Sequence, residues 1–221
     1  MATQLDLQEQ EQLDALKAFW KQYGNLITWS LTLVLGAFAA WNGWQWYQRD
    51  QGVKAGAMYD EVDKAVQQGD AEKAARLFVD LRERYARTAF VPQAGLAVAK
   101  LQLDKAKTDE AKASYTWVAQ NAAEEEYQTV AQLRLAGIYL DAQQFDEALK
   151  ALDAAKAPTF AALAADRRGD VLLAQGKRAE AVTAYQAAWK ALSPTLDYRR
   201  LVEAKLISLA APPQPASGAQ P

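Results

Sequence analysis

The chain has 221 residues, with 25 Lys and Arg against 27 Asp and Glu, a formal charge of −2 and a pI near 5.4. That balance supplies no basic field for nucleic acid. Cysteine and histidine are both absent, which excludes disulfides, thiolate metal sites and cysteine nucleophiles, and removes the commonest general base and metal ligand.

Residues 1–24 read as an N-terminal tail that starts acidic, with Asp6, Glu9, Glu11 and Asp14, and ends in LKAFWKQY. Leu5, Leu13, Leu16 and Trp20 stand roughly at helical spacing, which suits either a short amphipathic helix or a frayed polar tail. The segment from Leu26 to Trp46, LITWSLTLVLGAFAAWNGWQW, carries no charge. As a helix rising ~1.5 Å per residue, about 20 such residues cross the ~30 Å hydrocarbon core of a bilayer. Trp20, Tyr23 and Trp29 mark one end and Trp41, Trp44, Trp46 and Tyr47 the other, like an aromatic belt. Residues 25–48 are therefore expected to be a single transmembrane helix, with residues 26–46 in contact with the lipid bilayer. A buried core helix and a cleaved signal peptide are the alternatives, the latter because Ala37-Phe38-Ala39 has the small-x-small form of a cleavage site. The long acidic approach and the bulky stretch beyond Ala40 speak against cleavage. Lys17 and Lys21 on one side and Arg49, Lys54 and Lys64 on the other leave the orientation open.

Residues 49–210 are rich in Ala, Leu, Gln, Glu and Lys at three- and four-residue spacing, which predicts helices throughout. A repeat is visible in them. Gly69-Asp70-Ala71-Glu72-Lys73-Ala74 leads to Phe78, and Ala106-Lys107-Thr108-Asp109-Glu110-Ala111 to Tyr115. Gln143-Gln144-Phe145-Asp146-Glu147-Ala148 leads to Leu152, and Gly176-Lys177-Arg178-Ala179-Glu180-Ala181 to Tyr185. The central alanines lie 37, 37 and 33 residues apart, close to the ~34-residue tetratricopeptide period. In each motif a turn residue closes the first helix (A) and an acidic residue suits the positive start of the second (B). An alanine lets the two helices approach, and a large residue one turn later fills the gap. The prediction is an all-α protein: one N-terminal transmembrane helix, then a tetratricopeptide-repeat α-solenoid of about four helix pairs. Pro158 and Pro194 end the last two units, and Asp197 to Ala210 form a polar-faced capping helix. Residues 211–221, rich in proline, read as a disordered tail.

No catalytic, cofactor-binding or metal-binding constellation is present, so an enzyme is not expected and no cofactor is implied. The acidic run Glu124, Glu125, Glu126 is better explained as a solvated helix start than as a metal site. What remains is a binding protein whose A helices line a concave face. The register puts Tyr59, Asp63 and Val66; Leu96, Lys100 and Leu103; Leu133, Gly137 and Leu140; and Asp166, Asp170 and Leu173 on that face. Each of these leucines is as readily inter-repeat core as groove lining. Tetratricopeptide domains that clamp a carboxylate carry lysines and asparagines at such places, and this set has one lysine, which argues against a clamp.

The entry LDALKAFWKQYGN, the exit WQWYQRDQ and the unit RLAGIYLDAQQFDEALKAL, in this order around one span, resemble the YfgM-like family of ancillary SecYEG translocon subunits of Gram-negative bacteria. The resemblance covers nearly the whole chain. It implies an inner-membrane protein with its N-terminus in the cytoplasm and residues 49–210 in the periplasm, beside the translocon and a membrane-anchored chaperone like PpiD, without enzymatic activity. The role it suggests is assisting exported polypeptides through the groove. The alternatives are a scaffold that binds only folded partners and a regulatory subunit of a membrane enzyme.

Overall fold

The computed structural model describes residues 7–213, and among them all regular structure is helical. Leu5 of the tail, and residues 214–221 of the expected C-terminal tail, lie outside the described residues. The chain divides at Val53/Lys54 into two compact units. The helices are α1 (Leu7–Gln67), α2 (Ala71–Tyr85), α3 (Phe90–Asp104), α4 (Thr108–Asn121), α5 (Glu125–Asp141), α6 (Phe145–Ala154), α7 (Ala161–Ala174), α8 (Arg178–Ala191) and α9 (Asp197–Ser208), with a short 3-10 helix at Pro158–Phe160.

In the first unit the chain is helical from Leu7 onward, with no proline in the stretch and its glycines Gly24, Gly36, Gly43 and Gly52 carried within the helix. Every residue from 25 to 49 is exposed, with Trp29 at 69 % and Leu33 at 73 %. A core helix would be covered by protein, so the soluble-core alternative falls. An apolar surface of this length belongs against lipid, and α1 is long and apolar enough to cross a membrane. Its polar side chains turn back onto the helix: Thr28 Oγ1 donates to the Gly24 carbonyl at 2.7 Å, Thr32 Oγ1 to Thr28 at 2.8 Å and Asn42 Nδ2 to Phe38 at 2.8 Å. Each bond satisfies a group that hydrocarbon cannot.

The second unit is a stack of helix pairs made by the C-terminal part of α1 with α2, then α3 with α4, α5 with α6 and α7 with α8, followed by α9. The four central alanines, Ala74, Ala111, Ala148 and Ala181, are all 0 % exposed. Phe78, Tyr115, Leu152 and Tyr185, one turn on, are also buried, each contributing ~1.5–3 kcal/mol by leaving water. Close approach is tightest at Gly169, where a Cβ would stand 2.5 Å from Tyr185 Cε1, and at Gly95, where it would stand 2.5 Å from Val118 Cγ2. Between the first two pairs Trp117 meets Phe78 edge-on at 5.5 Å, and the Arg82 guanidinium lies over both rings.

The turn after each A helix has one geometry. Gly69, Ala106, Gln143 and Gly176 are left-handed, with φ of 70°, 59°, 57° and 78°. In each, the next N–H reaches back five residues: Asp70 to Ala65, Lys107 to Gln102, Gln144 to Tyr139 and Lys177 to Leu172, at 2.8–3.1 Å. This pairing satisfies carbonyls the helix leaves open. Helix α9 ends the same way, with Ala210 at φ 51° and Ala211 N–H donating to Leu206 at 3.0 Å. So α9 is the A helix of a fifth unit, and Pro212 and Pro213 stand where a B helix would start.

Glu203 shows why the stack stops there. Seven residues before the turn the four complete units have Val62, Ala99, Ala136 and Gly169, all buried against a B helix. The fifth has half-buried Glu203. The polar cap is therefore polar on the side facing outward along the stack, while Leu201 and Ile207 stay 50 % and 56 % exposed elsewhere on α9.

Candidate concave binding face

Counting back from the turn residue of each complete unit, the positions assigned to the concave face stand three, six and ten residues earlier. Tyr59 packs on Phe90 with the rings tilted and their centroids 5.6 Å apart, and burial raises its hydroxyl above the ordinary tyrosine value. Tyr59 and Val66 lean on the core of the first two pairs, and Leu96, Leu103 and Leu140 on that of the middle pairs. Leu133 is buried outright, which puts it in the core. Lys100 is exposed and pairs with Asp104 at 2.9 Å. Asp63, half-buried, accepts from Gln67 Nε2 at 2.6 Å. Gly137 opens on free space, with nothing within 4 Å of a Cβ built there, and Leu173 is 39 % exposed. Gln93 Nε2 donates to Tyr127 OH at 2.8 Å, joining α3 to α5.

Asp166 departs from the expected surface because it is 0 % exposed. Lys205 Nζ donates to both of its oxygens at 2.9 Å and to Asp170 Oδ1 at 2.7 Å. Tyr198 OH donates to Asp166 at 2.6 Å and Tyr185 OH to Asp170 at 2.8 Å. Arg167 reaches the other oxygen of Asp170 at 3.3 Å. Burial, and then the bond to the neighbouring carboxylate, push both tyrosine hydroxyls well above their usual range. These carboxylates fasten the cap to the last pair, and a charge this deep persists only because it is paired.

Reasoning from sequence missed Lys205, 39 residues from its partner, and the fifth set of concave positions, Arg200, Ala204 and Ile207. The repeated turn at Ala210 is the signal that reveals that set. A separate hollow of about 610 Å³ lies by the end of α6 and between α7 and α8, lined by Ala161, Ala164, Arg168, Thr183 and Ala187 among others. Among the described residues no group of three or more acidic side chains is placed to hold a metal ion.

The fold defines an all-α repeat protein with one N-terminal apolar helix long enough to cross a membrane. A model of the tetratricopeptide repeat-like domain matches residues 17–211, a stretch that includes the apolar segment. Relatives carrying the name ancillary SecYEG translocon subunit align over most of the chain. The one from Neisseria gonorrhoeae is 31% identical over 207 residues, 92% of this chain and 98% of the relative. Those from Escherichia coli and Haemophilus influenzae are each 29% identical, covering 85% and 82% of this chain and 91% and 89% of theirs. The chain belongs to this family of ancillary SecYEG translocon subunits, as a non-enzymatic member.

Proposed function

We propose that the chain is an accessory subunit of the SecYEG translocon in the bacterial inner membrane and holds exported polypeptides on its concave face. The family supports the translocon as partner, and a membrane-anchored periplasmic chaperone is a further partner in this reading. The observation that carries polypeptide holding is the uncovered aliphatic surface at the C-terminal end of the groove, where Leu173 and Ile207 are 39 % and 56 % exposed. Tethering raises the local concentration of this face beside emerging chains, so weak contacts suffice. Residues 1–24 would lie in the cytoplasm, 25–48 in the bilayer and 49–210 in the periplasm.

Photocrosslinkers placed at Lys100, Gly137 and Leu173, and on the outer helices at Lys150 and Lys190, test this during export. Adducts with exported chains from the first group are expected. Adducts from the outer group alone would overturn the groove as the holding site. Protease added to spheroplasts should digest residues 49–221 and spare the tail; protection of the repeats would reverse the orientation and remove this function.

A further inference from the structure

Each complete unit shows which side of an A helix its own B helix covers. A Cβ at Gly95, eleven residues before its turn, would meet Val118 of α4, and one at Gly169, seven before its turn, would meet Tyr185 of α8. In the fifth unit those two positions are Arg199 and Glu203, and Pro212 and Pro213 stand where the covering helix would start. Among the described residues, this face of α9 has no helix upon it. Leu196 at its N-cap and Ile207 in its last turn extend the stripe, at 49 % and 56 % exposed, since residues three and four apart share a helix face.

Two charges on this stripe stay unpaired. The charged residues of α9 are Asp197, Arg199, Arg200, Glu203 and Lys205. Lys205 is bound to Asp166 and Asp170, and Arg200 stands 3.7 Å from Asp197. Arg199 lies over the Trp189 ring at 3.9 Å, and its Nε meets no acceptor. Glu203 is one turn away, yet the two form no ion pair, and neither side chain has a hydrogen-bond partner among the described residues. On α8, Arg178 and Glu180, of opposite sign, sit in the first turn, and exposed Lys190 follows Trp189 in the last, a further cation at the Arg199 end.

A stripe with a cation at one level and an anion one turn further on is complementary to itself when turned end for end. Two α9 helices packed antiparallel, about a two-fold axis level with Leu201 and Val202, bring Arg199 of each against Glu203 of the other. The same axis sets Leu196 against Ile207, because both pairs are centred on that level, and each contact is made twice. We infer that the open end of the stack is a contact between two copies of this chain, with α9 of one lying antiparallel on α9 of the other in place of the absent B helix. A 12-residue helix about 18 Å long offers less area than the ~1,200–2,000 Å² of a stable soluble interface. The contact therefore forms between copies concentrated in one bilayer. It does not depend on what the concave face holds.

The chain has no cysteine of its own, so introduced thiols report single contacts. Full-length copies with Leu196→Cys and copies with Ile207→Cys, each bearing a different tag, are reconstituted in liposomes, separately and together, and oxidised. Both side chains are already exposed, so the fold is kept. Like residues stand about 16 Å apart along the antiparallel pair, too far for a disulfide, so the mixture should crosslink about tenfold more than either variant alone. Charge reversal tests the same pairing through energy transfer between labelled copies. Arg199→Glu alone and Glu203→Arg alone set like charges together and should each lose most of the self-association, while an equimolar mixture of the two restores it. Misfolding could not be repaired by mixing. Absence of crosslinks between the two thiol variants, or crosslinking of either with itself as efficient as in the mixture, would overturn the contact. So would a mixture that restores nothing when both charge variants melt like the parent.

Discussion

Replacing Lys205 by methionine isolates what the buried charge cluster contributes. The ammonium touches three carboxylate oxygens at 2.7–2.9 Å. Without it, Asp166, fully buried, keeps a single donor, the Tyr198 hydroxyl. Removing one partner of a buried pair costs about 3–5 kcal/mol. The Lys205 side chain is 25 % exposed and Asp170 retains Arg167, so the lower end, about 3 kcal/mol, applies. For a domain of this size each kcal/mol moves the midpoint by about 2–4 °C, giving a fall of about 6–12 °C. Circular dichroism at a helical band, on the full chain in micelles, reads it directly. Adding Asp166→Leu to Lys205→Met removes the stranded charge and should recover much of the loss. A single variant that melts within about 2 °C of the parent would refute the claim that the cluster is desolvated.

Gly169→Ala drives a Cβ into the Tyr185 ring and should cost ~1–3 kcal/mol, whereas Gly137→Ala, with open space around it, should stabilise by about 1 kcal/mol through helix propensity; melting curves that reverse this order would show the helix faces to be misassigned. Gly176→Ala meets no atom within 4 Å yet puts a side chain at φ 78°, so it should lose about 1 kcal/mol, while Gln143→Gly at φ 57° should gain up to about 1 kcal/mol. A thermal shift of the opposite sign at either site would contradict the shared turn geometry. Tyr185 and Tyr198 are held protonated above their ordinary value of 10.0, so the stability they add is fully present below that pH and is lost as pH rises through the higher folded values. The melting temperature should therefore fall above about pH 10, and less steeply when both are phenylalanine; identical alkaline profiles would exclude them as the groups responsible.

What could be read from sequence was what repeats at short range. Ala148 and Leu152 sit four residues apart on one helix face, so their burial follows from the 3.6-residue period alone. The periodicity of Leu96, Lys100 and Leu103 is legible for the same reason, since they share one stripe of α3. Left-handed backbone at Ala106 and Gln143 was harder to see, because neither residue favours it and only alignment with Gly69 and Gly176 exposes it. Asp166 was misplaced because its surroundings are set by Lys205 and Tyr198 on α9, beyond the intervening helix α8. Whether a leucine such as Leu133 is core or lining likewise depends on how closely the neighbouring helix packs, which no local pattern encodes.

Helix α6 has 10 residues where α4 and α8 have 14, and the hollow of about 610 Å³ marks the surface it fails to cover. A shortened strut on the outer rim of a stacked array is a compliance: the rim can shorten or lengthen there with few contacts to break. Bending of the stack then meets least resistance at the seam between α6 and α7. Because bending an arc at its rim opens or closes its inner side, such bending would change the separation of Leu140 and Leu173.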